Sequence, residues 1–132
     1  MATETVGDVM HKGVVSCLPS TSLRDAARLM TQAKVRALVV MDNQCGLSGI
    51  VSTTDLVTAT LESAGAPESL TVKDVMTPSV LTIGPGESVE LAAKLMLKKR
   101  VHRLVVVDEA GGDCNPIGVI SMGDIVRSIS EG

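Results

Sequence analysis

The pattern glycine, two aliphatic residues, serine, two further residues and aspartate occurs twice, at Gly49 to Asp55 and at Gly118 to Asp124. In both places an aliphatic run precedes the serine and an amphipathic pattern follows it, which predicts a strand handing over to a helix. Such a turn exposes backbone N–H groups and the positive end of a helix, a setting suited to phosphate or another anion. A carboxylate beside it can accept hydrogen bonds from the 2′- and 3′-hydroxyls of a ribose, a use that dinucleotide-binding folds make of an acidic residue. Ser52, Thr53, Thr54 and Asp55, with Ser121 and Asp124, therefore have the chemistry of a nucleotide site, the aspartates on the sugar. The same residues have a plain structural use. Ser52 and Ser121 fit as N-caps, and Asp55 and Asp124 fit as the reciprocal partners of capping boxes. The two uses are compatible, because a cap can turn to a ligand when one arrives.

The second signal is basic. Lys98-Lys99-Arg100-Val101-His102-Arg103 precedes an apolar run, and its thinner counterpart is Gln32-Ala33-Lys34-Val35-Arg36-Ala37. Lys98 and Lys99 read as a solvated helix end that complements the dipole. Arg36, His102 and Arg103 lie at the start of the apolar strand, where a buried charge needs a partner. Phosphate suits arginine, because the guanidinium fork matches two oxygens. No nucleophile–base set emerges. Ser121, His102 and Asp124 lack the GxSxG elbow context of a hydrolase, and Gly84 to Ser88 lacks the lysine of a phosphate loop.

The elements that would position these residues come from a duplication. Thr5-Val6-Gly7-Asp8-Val9-Met10 returns as Thr71-Val72-Lys73-Asp74-Val75-Met76, and Ala26-Ala27-Arg28-Leu29-Met30 returns as Ala92-Ala93-Lys94-Leu95-Met96. Val35 with Leu38-Val39-Val40 and Asp42 returns as Val101 with Leu104-Val105-Val106 and Asp108. Each copy reads as short helix, strand, helix, strand, strand, helix. Val14 to Cys17 is a short strand candidate; Ser22 and Ser88 are caps; Leu23, Ala26, Ala27 and Met30 form one apolar stripe and Val89, Ala92, Ala93 and Met96 the other. Ala37 to Met41 and Arg103 to Val107 read as buried strands, each in a hairpin with Leu47 to Val51 or Ile117 to Ile120. Helices follow over Thr53 to Leu61 and Met122 to Ile129. Residues 1–64 form repeat one, 65–70 a linker and 71–132 repeat two. A duplicated unit predicts a pseudo-two-fold object with two related clefts where its halves meet. Copies of about 60 residues are marginal alone, which predicts one shared core.

Composition excludes several classes. Over 132 residues the apolar fraction is 45% and the charged fraction 20%, ordinary for a globular chain. Net charge is −3 and there is no Phe, Tyr or Trp, so nucleic-acid binding is disfavoured and any adenine pocket must have aliphatic walls. No apolar run reaches the ~20 residues of a membrane span. The start, Met-Ala-Thr-Glu-Thr, has no signal-peptide pattern, so a cytoplasmic protein is expected. Cys17, Cys45 and Cys114 form no CxxC pair, which predicts neither zinc nor a disulfide framework.

In order, and twice over, the residues resemble a tandem pair of CBS domains, a Bateman module. The match rests on Asp8-Val9-Met10 and Asp74-Val75-Met76-Thr77-Pro78, the Ala-Ala-x-Leu-Met helices, His102-Arg103-Leu104-Val105-Val106-Val107-Asp108 with Val where the family has Pro, and the two serine–aspartate turns. It covers about residues 5–62 and 71–130. The resemblance implies an α/β (α+β) fold of two β-α-β-β-α repeats with pseudo-two-fold symmetry, sheets packed together and helices outside. It also implies a regulatory module with no catalytic residues and no cofactor, binding AMP, ADP, ATP or S-adenosylmethionine in clefts between the repeats. Asp55 and Asp124 would hold ribose hydroxyls. Ser52, Ser121, Thr53 and Thr54 would line the ribose and phosphate region. Arg36, His102 and Arg103 would reach phosphates. The segments at Val14 and Ser16, and at Val80 and Thr82, would wall the adenine. A homodimer and a target protein of unknown identity are expected, with unequal affinity at the two sites because Arg36-Ala37 answers His102-Arg103. The alternative is a ligand-independent dimerisation module in which the serine–aspartate turns are caps alone.

Overall fold

The computed structural model describes residues 4–44, 46–64, 67–108 and 115–131. Among the described residues, six α-helices and seven strands run in the order α1 (Val6–Val9), β1 (His11–Lys12), β2 (Ser16–Cys17), α2 (Leu23–Ala33), β3 (Ala37–Met41), β4 (Leu47–Ser52), α3 (Thr53–Glu62), α4 (Val72–Val75), β5 (Thr82–Ile83), α5 (Val89–Lys99), β6 (Arg103–Val107), β7 (Pro116–Ser121) and α6 (Met122–Glu131). A 3-10 turn at Pro67–Ser69 precedes α4. The fold is a mixed α/β arrangement with two sheets.

The chain divides into two compact units, and the division differs from that of the sequence repeats. One unit is Val15–Val80; the other joins Met1–Val14 to Leu81–Gly132. The segment that opens repeat one thus belongs with repeat two, and the segment that opens repeat two stays with repeat one.

In the unit Val15–Val80 the sheet order is β2-β3-β4, with β2 parallel to β3 and β3 antiparallel to β4. In the other unit the order is β1-β7-β6-β5, with β5 parallel to β6. The added strand β1 was not legible as a strand; it pairs His11 with Val119 and Lys12 with Gly118. Its counterpart in the first unit is a single bridge, Ile50 to Thr77. Both pairings need a bare backbone at the strand they meet. A Cβ on Gly118 would lie 2.6 Å from the His11 carbonyl oxygen, and one on Gly49 would lie 2.7 Å from that of Thr77.

Alternation along the strands decides which residues face the helices. Cys17, Leu38, Val40 and Val51 turn inward onto α2 and α3, joining Leu23, Ala26, Met30 and Leu56 in one apolar cluster. Ile83, Leu104, Val106 and Ile120 do the same in the other unit, with Val89, Ala92, Met96 and Ile125. Each unit has its own cluster. The physical reason lies in the short helices. Val72 of α4 is fully buried in the first cluster, and Val6 of α1 is fully buried in the second. Each core gains an element that the sequence repeat assigns to its partner.

The helices start where their caps predict. The N–H of Asp25 donates to Ser22 Oγ at 3.1 Å, and that of Leu91 to Ser88 Oγ at 3.0 Å. Asp25 does not close a box at Ser22; its carboxylate meets Arg28 Nη1 at 3.4 Å on the exposed face. One position of the predicted apolar stripe is corrected. Ala26 is buried but Ala27 is exposed, at the edge of an open apolar groove of about 290 Å³ that Leu56, Val57, Thr60 and Leu61 complete. Eleven helical residues leave only a narrow stripe inside, and Ala27 lies past its edge toward α3.

Candidate nucleotide site

In the unit Val15–Val80 the sheet face away from the helices carries Ser16, Ala37, Val39, Ile50 and Ser52. Ser16 pairs with Val39, Val39 with Ile50, and Ala37 with Ser52. Beyond this edge β4 becomes α3 with no intervening loop. The N–H of Thr53 donates to the Arg36 carbonyl at 2.9 Å, so the turn is tied to the start of β3. Ser16, Arg36, Ser52, Thr53, Thr54 and Asp55 are thereby gathered at one end of one sheet.

The turn is a closed capping box. The N–H of Asp55 donates to Ser52 Oγ at 3.2 Å, and the N–H of Ser52 donates to Asp55 Oδ2 at 2.8 Å. Asp55 Oδ1 has no hydrogen bond among the described residues. Thr53 and Thr54 are exposed; Ser52 and Asp55 are half-buried. The result is a half-open carboxylate oxygen, two free hydroxyls and a helix N-terminus.

The other unit repeats this with changes. Thr82 pairs with Val105, and Arg103 stands directly opposite Ser121, so Thr82, Arg103 and Ser121 share the sheet face away from the helices. The N–H of Met122 donates to the His102 carbonyl at 2.9 Å. Ser121 and Asp124 form the second box, at 2.9 Å from Ser121 N–H to Oδ2 and 3.2 Å from Asp124 N–H to Ser121 Oγ. Here the carboxylate is further engaged. Arg127 Nη2 donates to Asp124 Oδ1 at 3.0 Å and to the Val9 carbonyl at 3.3 Å, and Asp124 is only 8% exposed. Arg127 escaped the sequence reading. The spacing Asp-x-x-Arg was visible and fits an i, i+3 pair, but the contact with Val9 depends on the tertiary arrangement.

Two expectations about the basic residues are corrected. Arg36 and His102 are exposed, so neither is a buried charge in want of a partner. They precede the first paired residue of their strands, where the chain is still at the surface. Arg103 does enter β6 and is half-buried, with no side-chain hydrogen bond or ion pair among the described residues. Val14 and Val80 lie where the chain passes from one unit to the other. Cys17 is a buried free thiol whose pKa burial pushes up; Cys45 and Cys114 lie outside the described residues. No cluster of three or more metal-ligating side chains occurs among the described residues. No described helix is long and apolar enough to cross a membrane.

The CBS domain model matches this chain twice, over residues 6–62 and 72–131. The chain belongs to the CBS domain family. Among curated relatives, the chloroplastic CBS domain-containing protein CBSX2 of Arabidopsis thaliana is 32% identical over 152 residues, covering 94% of this chain and 63% of that protein. The CBS domain-containing protein YhcV of Bacillus subtilis is 30% identical over 121 residues, covering 92% of this chain and 82% of that one. The crystal structure of CBSX2 in complex with AMP superposes with a TM-score of 0.73 at 35% identity, covering 97% of each chain. A CBS domain pair crystallised with 5′-methylthioadenosine and S-adenosyl-L-methionine has a TM-score of 0.84 at 24% identity, a likeness of fold. Relatives named as enzymes are larger: this chain covers 21% of an inosine-5′-monophosphate dehydrogenase of Nitrosopumilus maritimus. The chain spans about 63% of the length of the CBSX2 protein it matches.

Proposed function

We propose that this chain is a non-catalytic regulatory module that binds an adenosine nucleotide, AMP in first place. The observation that carries this reading is the pair of serine–aspartate boxes at equivalent sheet ends, in a chain 35% identical to a protein crystallised with AMP. In this reading Asp55 and Asp124 accept the ribose hydroxyls. Ser52, Thr53, Thr54 and Ser121 line the sugar and phosphate. Arg36, His102 and Arg103 meet the phosphate, and the stretches at Val14, Ser16, Val80 and Thr82 wall the adenine. The ligand acts on a partner protein by favouring one of two conformations that bind it unequally.

The reading includes a homodimer. In one unit Val57 and Leu61 of α3, and in the other Val126 and Ile129 of α6, are each at least 59% exposed, apolar area that a lone copy leaves in water. A second copy presenting the same helices would cover it.

One observation favours the alternative, a dimerisation module without ligand: both aspartates already satisfy a backbone N–H as caps. Calorimetric titration with AMP, ATP and S-adenosylmethionine separates the two. Saturable heat with one of them, abolished when both aspartates are changed, supports the sensor. No heat with any, on protein free of carried-over nucleotide, leaves the dimerisation module.

A further inference from the structure

We infer that Arg127 is a positioning residue that makes the two boxes unequal, holding the Asp124 carboxylate closed to a ribose while Asp55 stands open; the inference rests on the adenosine reading above. Both aspartates spend Oδ2 on a backbone N–H, of Ser52 at 2.8 Å or of Ser121 at 2.9 Å. They part at Oδ1. In Asp55 it is unengaged among the described residues. In Asp124 it accepts Arg127 Nη2 at 3.0 Å. The matching residue of the first copy is Thr58, which carries no charge.

The second hydrogen bond of Arg127 makes this more than a helix-surface ion pair. Nη2 carries two hydrogens, and the other goes to the Val9 carbonyl at 3.3 Å, where α1 ends. The guanidinium is thereby fixed from both sides, over a carboxylate whose side chain is 11% exposed. A ribose diol donates two hydroxyls and needs an accessible acceptor. At Asp55 that acceptor is free. At Asp124 the ligand must first displace Arg127 from Oδ1 and from Val9. Opening a partly exposed pair of this kind should weaken sugar-dependent binding about fivefold.

Each box can be read alone in the full chain, Asp55→Asn leaving the Asp124 box and Asp124→Asn leaving the Asp55 box. AMP is titrated by calorimetry into Asp55→Asn with and without Arg127→Ala. The expected result is about fivefold tighter AMP binding without the arginine. Arg127→Lys, which keeps the charge, should return most of the weakness. The gain should be absent for 2′,3′-dideoxyadenosine monophosphate, because the latch acts on the sugar. In the Asp124→Asn background Arg127→Ala should change nothing. A role confined to stability would lower the melting temperature and move both ligands together, and that pattern would overturn the inference. So would unchanged or weaker AMP binding in Arg127→Ala. If the unmutated chain gives no AMP heat at all, the adenosine reading itself falls and this inference falls with it.

Discussion

Replacing Asp55 with alanine removes two interactions that different instruments read. The first is internal: the half-buried Ser52 N–H loses its acceptor at 2.8 Å, and α3 loses a negative charge in its first turn. A charge-assisted hydrogen bond that water can partly replace, together with the dipole effect, contributes about 1–2 kcal/mol. For a chain of this length that is a fall of about 4–7 °C in melting temperature. The second is external, and belongs to the proposed adenosine site: two ribose hydroxyls would lose their carboxylate. Bonds to a charged acceptor of this kind together contribute about 3 kcal/mol, a loss of roughly 150-fold in affinity at that box. Asp55→Asn separates the effects. Its amide oxygen can still accept from Ser52 N–H, so the melting temperature should fall by under about half as much. The charge is gone, so most of the binding loss remains. Thermal melts and AMP titrations of the two variants, in an Asp124→Asn background, give the comparison. If Asp55→Asn binds AMP as tightly as aspartate does, the carboxylate is a cap and not a sugar ligand, and the reasoning is wrong.

Three further outcomes follow from other parts of the molecule. Gly118→Ala drives a Cβ to 2.6 Å from the His11 carbonyl and 2.7 Å from the Met10 sulfur; overpacking of this kind costs about 1–3 kcal/mol, and limited proteolysis should find the segment around β1 cut first. Leu61→Glu, at a position 76% exposed, should leave the fold intact by circular dichroism and halve the mass seen by light scattering if α3 faces a second copy. Cys17 has its pKa raised above the ordinary 9.0, chiefly by burial and against a weaker effect of Thr21. Above about pH 9 the unfolded thiol therefore loses its proton before the folded one, and stability should fall as pH rises from there; the decline should be absent in Cys17→Ala.

Much of this architecture was legible because its signals are local. Ser52 and Asp55, or Ser121 and Asp124, are three residues apart, and a capping box is a set of backbone hydrogen bonds closed within one turn. The continuous apolar runs at β3 and β6 and the caps at Ser22 and Ser88 are equally short-ranged, and duplication presents each of them twice. The same locality explains the errors at the edges. Ala27 fits the apolar stripe of α2 by spacing, yet how wide a stripe is covered depends on where α3 lies. Arg36, His102 and Arg103 read alike in sequence; only the register, with Arg103 opposite Ser121, separates the half-buried cation from the exposed ones.

By itself, then, the amino-acid sequence determined the repeat, the order of elements apart from β1, the family and the two serine–aspartate capping boxes. The tertiary structure decided what stands around those boxes. It placed Val6 of α1 in the core of the unit that contains repeat two, and set the Val9 carbonyl within reach of Arg127, 118 residues along the chain. Such choices are invisible locally, because burial of an apolar helix is non-directional. Which cluster α1 joins is settled by the strand pairing of β1 with β7 and by the glycine that lets the two backbones meet.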